Sequence, residues 1–494
     1  MTAATQTADG AKLVNEAVAA FKARDRDRTA LLLARAIQQN PPLGNSWGSV
    51  SRLAATIGEV TLSLTAARRQ IAANPTPEAR LAYAQLLSQS GRSEAARDEA
   101  GALARERPND PAALHLYATS LVQLGDEAAA EEILRRIIAL PTVALGAENA
   151  WHVLADMKKF TPDDPDVAAM EALLARIGEG ASTRQSRIVL LYALGKAYDD
   201  QGEVDRAFAS FDEAARLQKA DSTFNPDLAD RFVDAIVGGY DQAFMDSLPR
   251  GSTESDRPIF VLGLPRSGTT LVEQILVSHS QVTDGAEANL FRPASMAIEG
   301  YTPGEVKASF DKAELGTAGR IGRAYLHLLD ERFGKTGRVV DKTLNHSRFL
   351  GLIAQVLPNA RFIWLRRHPA GIAWSCFRTR FAKGVDWTRS LTDIARHFKG
   401  EDRLHAHWSA VLGDRLLTVP YEDLVSDPDT WMRKIIEHAG LEWEEAVRDF
   451  HKTDRAVTTA SFAQVRKPMY SSSKEAWRRY ETHLKPFFDE YERK

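Results

Sequence analysis

Apolar and polar residues follow two different patterns along the chain, and the change comes near its middle. The first 220 residues are rich in alanine, and their apolar segments are separated by short polar turns, which predicts a series of short helices. After the polar run at 251–256, short apolar segments alternate with helical stretches, as is typical of a parallel α/β sheet. The segments predicted as strands are Pro258–Leu262, Arg338–Val340, Arg361–Leu365 and Leu416–Val419.

A set of residues in the helical region recurs after 34 positions. The recurring residues are Pro77, Tyr83, Leu87, Gly91 and Ala96, which return as Pro111, Tyr117, Leu121, Gly125 and Ala130. A third copy contains Gly195, Tyr198, Gly202, Ala207, Phe211 and Ala214, and a weaker upstream copy has Gly58 in its turn. The period resembles the tetratricopeptide repeat (TPR), a helix pair in which glycine forms the turn and alanine allows close packing.

The resemblance implies a TPR-like helical solenoid over residues 11–220, with an irregular or inserted helix pair at 142–185. Residues 221–256 are predicted to form one bridging helix and a linker, and residues 257–494 a separate α/β domain. Two roles for the solenoid remain open. It either stabilises its neighbour or holds a peptide or protein on its concave surface.

Composition narrows the class of protein. A chain of 494 residues is too long for one core, and 44% hydrophobic with 26% charged residues is the balance of a globular protein. The net charge of −3 gives no reason to expect nucleic acid as a partner. Cys376 is the single cysteine, so an internal disulfide is excluded. We find neither a signal peptide nor a membrane-spanning segment in the sequence and expect a cytoplasmic protein.

The strongest motif is a glycine-rich turn between a predicted strand and a predicted helix. Gly263 and Gly268 have the G-x4-G spacing of a nucleotide P-loop, whose backbone N–H groups and helix N-terminus cradle an anion. Thr269 replaces the lysine that normally reaches the terminal phosphates. The later strand ends in Arg366-Arg367, where an ATPase would have an aspartate for magnesium. Both changes argue against a triphosphate and favour an anion bound without metal.

This loop resembles the 5′-phosphosulfate loop of sulfotransferases that use 3′-phosphoadenosine 5′-phosphosulfate (PAPS). The similarity runs from about residue 257 to residue 480 and is greatest to the tyrosylprotein sulfotransferases and the bacterial TPR-linked group. It implies a P-loop parallel-sheet sulfotransferase domain with PAPS as co-substrate and no metal. The loop residues that would bind the donor are Pro265, Arg266, Ser267, Gly268, Thr269 and Thr270.

A second anion site is predicted about a hundred residues further on. Arg367 ends a strand and Ser375 lies two turns into the next helix, so the two side chains can converge on one phosphate. The resemblance implies that they hold the 3′-phosphate, although His368 stands where the family usually has aspartate. Whether Arg378 or Arg380 assists is left open. By the same resemblance, further donor contacts would come from Tyr421, Ser461, Arg466 and Lys467.

The resemblance also implies the catalytic groups. Glu287 is the candidate base, without the second acid that often precedes it in the family, because Ala286 occupies that position. Lys342 ends a strand, which places its ammonium at the carboxyl edge of the sheet, and it would contact the bridging oxygen and the sulfuryl group. Arg266 would share that charge.

Two other functions stay in view. A P-loop kinase or NTPase would need an acidic metal ligand, for which Glu422-Asp423 is the best candidate. A TPR adaptor that binds a nucleotide without turnover is the non-enzymatic reading. For a sulfotransferase, the repeats and the catalytic resemblance together suggest a peptide or protein tyrosine as acceptor. A carbohydrate, lipid or small phenol acceptor and a homodimer remain open.

Overall fold

The computed structural model describes residues 3–140, 146–312, 317–381, 384–452 and 475–493. Twelve α-helices form the first half within these described residues, and α9 and α10 occupy the stretch predicted as an irregular or inserted pair. These helices are α1 (Ala3–Lys22), α2 (Arg26–Gln39), α3 (Trp47–Thr56), α4 (Val60–Ala73), α5 (Pro77–Gln89), α6 (Ser93–Glu106), α7 (Pro111–Leu124), α8 (Glu127–Ile138), α9 (Ala147–Met157), α10 (Pro165–Ile177), α11 (Arg184–Gln201) and α12 (Val204–Lys219).

The repeat residues act as the sequence predicts. Asp110 caps α7 by accepting hydrogen bonds from two backbone N–H groups. Gly125 ends the same helix with φ +87°, and Gly202 ends α11 with φ +81°, a conformation that favours glycine. Gly195 lets α11 and α12 approach closely, because a Cβ there would lie 2.7 Å from the ring of Phe211. The small and turn-forming residues therefore fix the geometry of each helix pair.

The connection between the halves differs from the prediction of one helix and a linker. It contains two helices, α13 (Pro226–Gly239) and α14 (Gln242–Ser247), which separate at Tyr240. The polar run that follows is docked on the second half. Gly251 donates its backbone N–H to the Gln355 carbonyl at 2.9 Å, and Asn359 Nδ2 donates to the Glu254 carbonyl at 3.0 Å.

The second half contains a five-stranded parallel sheet in the order β2-β3-β1-β4-β5. The strands are β1 (Pro258–Gly263), β2 (Val282–Asp284), β3 (Arg338–Asp341), β4 (Arg361–Arg366) and β5 (Leu416–Pro420). The helices around it are α15 (Thr269–Val277), α16 (Phe291–Ala294), α17 (Pro303–Lys312), α18 (Thr317–Phe333), α19 (Leu350–Val356), α20 (Pro369–Phe377), α21 (Leu391–Leu412), α22 (Tyr421–Ser426), α23 (Pro428–His438) and α24 (Lys485–Tyr491). The four predicted strands are confirmed, and β2 was missed because it has only three residues.

Apolar residues cover both faces of the sheet. Alternate residues of β1 and β4, such as Phe260 and Phe362, pack on the side of α18, α19 and α21. Their neighbours, such as Val261 and Ile363, pack on the side of α15 and α23. Across the described residues, we find no helix long and apolar enough to cross a membrane.

The helical repeats and the α/β half share a hydrophobic core. One buried cluster joins Tyr198 and Phe211, from α11 and α12, to Trp374 and Phe377 of α20. Phe211 lies edge-on to Trp374 with ring centroids 5.7 Å apart. The cluster also contains Tyr480, from the 3₁₀ turn Ala476–Tyr480, whose ring stacks on Trp374 at 3.7 Å. The last repeat and helix α20 therefore bury each other.

Candidate active site

The glycine-rich loop connects β1 to α15 through residues with positive φ. Gly263 has φ +144° and Gly268 has φ +107°, and Arg266 adopts φ +68°, which a side chain rarely does. Helix α15 begins at Thr269, so its N-terminal N–H groups face the loop, as an anion site requires. Ser267 is fully buried, and its hydroxyl makes no hydrogen bond to any described residue. A buried hydroxyl without a partner suits a bound phosphate oxygen.

Arg266 of the loop lies close to arginines from two later segments of the chain, Arg367 and Arg378. Arg266 donates from Nε to Ser375 Oγ at 3.0 Å, and Arg367 donates from Nη1 to the Arg266 carbonyl at 3.1 Å. Burial, with the nearby charges of Arg378 and Arg367, lowers the pKa of Arg266 to about 10. The Arg266 guanidinium still carries its charge at neutral pH, and its repulsion from the neighbouring arginines favours binding of a polyanion. The structure thus places Arg367 and Ser375 beside the P-loop, as the prediction of a second anion site requires.

Tyr421 supports both the loop and Arg367. Its ring lies 4.6 Å from the Arg367 guanidinium carbon, and a Cβ on Gly268 would lie 2.6 Å from the ring. His368 occupies the position of the family's aspartate and holds the strand end in another way. Its backbone N–H donates to Glu422 Oε1 at 3.0 Å, and its ring stacks on Trp477 at 5.0 Å. Glu422, the candidate metal ligand of an NTPase, therefore anchors the start of α20.

The two arginines after α20 have different surroundings. Arg378 donates from Nη1 to Asp199 Oδ2 at 2.7 Å, and its charge is the largest electrostatic influence on Arg266. Arg380 lies near His115 and His152 of the helical repeats. Burial lowers the pKa values of both histidines, and the charge of Arg380 lowers them further. Arg378 is thus the one that belongs with the P-loop cluster.

The candidate base and cation are in contact at the carboxyl edge of the sheet. Lys342 is 1% exposed, and its Nζ donates to Glu287 Oε1 at 3.0 Å. Glu273 Oε2, from the P-loop helix α15, lies 3.8 Å from the same ammonium. Burial works to lower the pKa of Lys342, but the two carboxylates outweigh it and the pKa is raised. Lys342 is therefore a fixed cation, while the Glu287 side chain is 45% exposed and accessible to a substrate.

Backbone contacts hold the segment that carries Glu287. The Lys342 N–H donates to the Ala286 carbonyl at 3.0 Å, and Ala286 has φ +47°. The Ala286 N–H donates to Asp284 Oδ1 at 2.8 Å. Gly285 packs so closely on β3 that a Cβ would lie 2.1 Å from the Val340 carbonyl oxygen. This tight turn after β2 fixes Glu287 opposite Lys342.

Sequence reasoning missed two carboxylates near the site. Glu273 carries a detectable signal, since it is a charged residue inside the apolar run of α15. Asp199 carries none, because its partners Arg378, Arg479 and Tyr480 lie far along the chain. The predicted donor contacts Ser461, Arg466 and Lys467 lie outside the described residues.

Two histidines of α21 lie two residues apart, and each has a partner in the protein. His405 Nε2 lies 2.8 Å from Thr418 Oγ1, and His407 Nε2 lies 3.1 Å from the Tyr240 carbonyl. Among the described residues, a different group brings ligand atoms within 4.8 Å of one another, namely Glu59, His327 and Glu331. Glu59 is already bonded to Arg26 Nη2 at 2.6 Å, and the group lies where α4 meets α18, apart from the P-loop.

Comparison with known proteins agrees with the geometry. Residues 258–445 match the Sulfotransferase family, and residues 188–221 match the Tetratricopeptide repeat. An uncharacterised protein of Aquifex aeolicus (strain VF5) is 30% identical over 382 residues, which is 75% of this chain and 48% of that protein. The protein-tyrosine sulfotransferase of Drosophila melanogaster is 26% identical over 195 residues, 38% of this chain and 39% of that protein.

Among solved structures, the chain is similar to the sulfotransferase domain of the Synechococcus PCC 7002 olefin synthase, at 23% identity and a TM-score of 0.35. That similarity covers 47% of this chain and 91% of the other. The chain spans about half or less of the two relatives above. A P-loop α/β domain preceded by helical repeats is the class that fold and site define. Within this class, the α/β half is similar to the Sulfotransferase family over residues 258–445, and the helix pair at 188–221 is similar to the Tetratricopeptide repeat.

Proposed function

We propose that this chain is a sulfotransferase that transfers a sulfuryl group from PAPS to an acceptor hydroxyl. The observation that carries the proposal is the contact between Glu287 and Lys342, 3.0 Å apart, with Lys342 in turn 3.8 Å from Glu273 of the P-loop helix. An accessible carboxylate thus lies next to a buried cation at the edge of a phosphate loop. This is the arrangement that in-line transfer of a charged group to a hydroxyl requires.

In the proposed reaction, the oxygen of the acceptor hydroxyl attacks sulfur, and Glu287 accepts the proton of that hydroxyl. A new oxygen–sulfur bond forms, and the bond between sulfur and the bridging oxygen of the donor breaks. The 5′-phosphate leaves with one more negative charge on that oxygen. Lys342 and Arg266 stabilise the leaving oxygen and the sulfuryl group. Lys342 is kept charged by its carboxylate partners, and Arg266 remains charged at neutral pH although burial lowers its pKa to about 10.

The donor would be held by two parts of the site. The loop 265–270 and the N-terminus of α15 bind the 5′-phosphosulfate, and the buried Ser267 hydroxyl donates one of the hydrogen bonds to it. Arg367 and Ser375 bind the 3′-phosphate, and Tyr421 holds the guanidinium of Arg367 in position. Arginines supply the positive charge that a metal ion supplies in a P-loop NTPase, so we propose that binding needs no metal.

We further propose a peptide or protein tyrosine as acceptor. The Drosophila relative is named as a protein-tyrosine sulfotransferase, and tetratricopeptide repeats have the capacity to bind proteins. The repeats also contact the α/β half beside the site, because Asp199 on α11 accepts a hydrogen bond from Arg378 at 2.7 Å.

The first experiment is a calorimetric titration of the full chain with 3′-phosphoadenosine 5′-phosphate (PAP), the desulfated product, in the presence of EDTA. Binding under these conditions supports a metal-independent sulfotransferase. Absence of binding, together with magnesium-dependent binding of ATP, would overturn the proposal. The acceptor is tested separately, by incubating the protein with PAPS and a tyrosyl peptide. Mass spectrometry should find sulfotyrosine in that peptide and none in a matched peptide with phenylalanine.

A further inference from the structure

A buried carboxylate of the repeats is bonded to the α/β half through three donors. Asp199, near the end of α11, is 6% exposed. Its Oδ2 accepts a hydrogen bond from Arg378 at 2.7 Å, and its Oδ1 accepts from Arg479 at 2.7 Å and from Tyr480 at 2.6 Å. Burying a carboxylate is costly unless it is fully paired, and these bonds come entirely from the other half.

The donors to Asp199 are attached to the predicted 3′-phosphate site. Arg378 is the C-cap of α20, three residues after Ser375. Tyr480 stacks on Trp374, the residue before Ser375, with ring centroids 3.7 Å apart. The same turn holds the start of α20, where Trp477 stacks on His368. The turn Ala476–Tyr480 therefore contacts the start of α20 through Trp477 and its later part through Tyr480, and Asp199 is bonded to this turn.

We propose that Asp199 is a positioning residue of the donor site, so that the last repeat is part of the machinery that binds the donor. The proposal rests on the proposed function for the identity of the donor. Asp199 acts through α20, by fixing the helix that carries Ser375 and by holding the Arg378 guanidinium beside the P-loop. It does not itself touch the donor in this account.

The sign of the effect separates positioning from simple electrostatics. Replacing Asp199 by asparagine removes a negative charge from a cluster of arginines, and that change alone would strengthen the binding of an anion. Loss of position acts in the opposite direction, because Arg378 and α20 are no longer held for the phosphate. Weaker binding therefore reports positioning, and unchanged or tighter binding contradicts it.

Asp205 offers a matched control. It lies on α12 and accepts a hydrogen bond from His483 Nε2 at 2.8 Å, so it also joins the repeats to the C-terminal segment. Its side chain is 92% exposed, whereas Asp199 is 6% exposed. Asp205→Asn therefore perturbs an exposed contact across the same interface, whereas Asp199→Asn perturbs the buried bonds to Arg378 and Tyr480.

The experiment titrates the wild type, Asp199→Asn and Asp205→Asn with PAP and, in parallel, with inorganic pyrophosphate. We expect Asp199→Asn to bind PAP about tenfold more weakly, within the range of ordinary coupling between sites, and Asp205→Asn to bind like the wild type. The KM for PAPS should rise in Asp199→Asn more than kcat falls. If Asp199 and Asp205 had purely structural roles, both variants would melt at a lower temperature, and their affinities for PAP would be equal.

The outcomes for the two proposals can be told apart. If the wild type binds pyrophosphate but not PAP, the proposed function fails, and the pyrophosphate affinities of the variants still decide the role of Asp199. Equal affinities of the two variants for the probe that binds would overturn the positioning role. If Asp199→Asn does not fold, Tyr480→Phe removes one of its three hydrogen bonds and should weaken binding in the same direction.

Discussion

Phe211 tests whether the repeats and the α/β half unfold as one unit. This residue of α12 is 1% exposed and packs edge-on against Trp374 of α20. Phe211→Ala removes that contact and leaves a cavity in the shared core, which costs about 3–5 kcal/mol for a buried phenylalanine. With an unfolding entropy of roughly 2.1 cal/mol/K per residue, a cooperative unit of 494 residues loses about 1 °C for each kcal/mol. We therefore expect the melting temperature to fall by about 3–5 °C.

The assay is differential scanning calorimetry of the wild type and Phe211→Ala, each with and without PAP. Ligand at 100 times its dissociation constant stabilises the folded state by about 2.7 kcal/mol, which should raise the melting temperature by about 3 °C. The shared core predicts that both perturbations move the same transition. Two separate transitions, with the substitution lowering one and PAP raising the other, would refute the reasoning.

The same core affects how the repeats can be studied. Phe208 and Phe211 of α12 cover Trp374 and Phe377, so a chain without the repeats would expose these aromatic rings to water. Exposing each would cost about 1.5–3 kcal/mol of burial energy. Loss of activity after truncation would then reflect the damaged α20 and give no information about acceptor binding. Point substitutions in the full chain avoid this problem.

Three further substitutions test the site. Glu287→Gln should lower kcat by about 10²–10⁴-fold, the usual contribution of a general base, while calorimetry finds PAP affinity unchanged; an active variant would exclude the assigned role. Arg367→Ala should weaken PAP binding by roughly 2–5 kcal/mol. Arg366→Ala, which loses its ion pair with Asp402 outside the loop, should not, and equal losses would refute the 3′-phosphate assignment. Gly268→Ala should weaken PAP binding because the new methyl group displaces the tyrosine ring beside the loop. Gly202 has a similar positive φ and open space around it, so Gly202→Ala should lower the free energy of unfolding by only about 1 kcal/mol in a denaturant titration. If both glycine variants lost PAP affinity equally, the clash with the tyrosine ring would not explain the loss.

The parts of the fold and site that were predicted from the sequence depend on local patterns. The strand, turn and helix around Gly263 and Gly268 specify a P-loop wherever they occur, because positive φ and a helix N-terminus are local properties. Lys342 was predicted at the sheet edge because it ends a strand, and the ends of parallel strands share one edge. Its contact with Glu287 was not predicted, because 55 residues separate the two and the family resemblance implied only a separate role for each.

The shared core was missed although two helices carried a signal for it. Residues 370–377 of α20 and 188–195 of α11 are buried throughout, and both sequences are apolar on all sides. A helix that is apolar on every face must be covered on every face, and a surface helix of a solenoid or of an open α/β sheet would keep a polar side. The sequence of each helix therefore indicated that an element outside its own domain covers it, but it did not identify that element. Periodicity assigns residues to elements one at a time, whereas the cover of α20 by α12 and the bonds of Asp199 depend on how distant elements pack. A division into a repeat domain and a catalytic domain follows the local patterns, but the arrangement of the 3′-phosphate site depends on both.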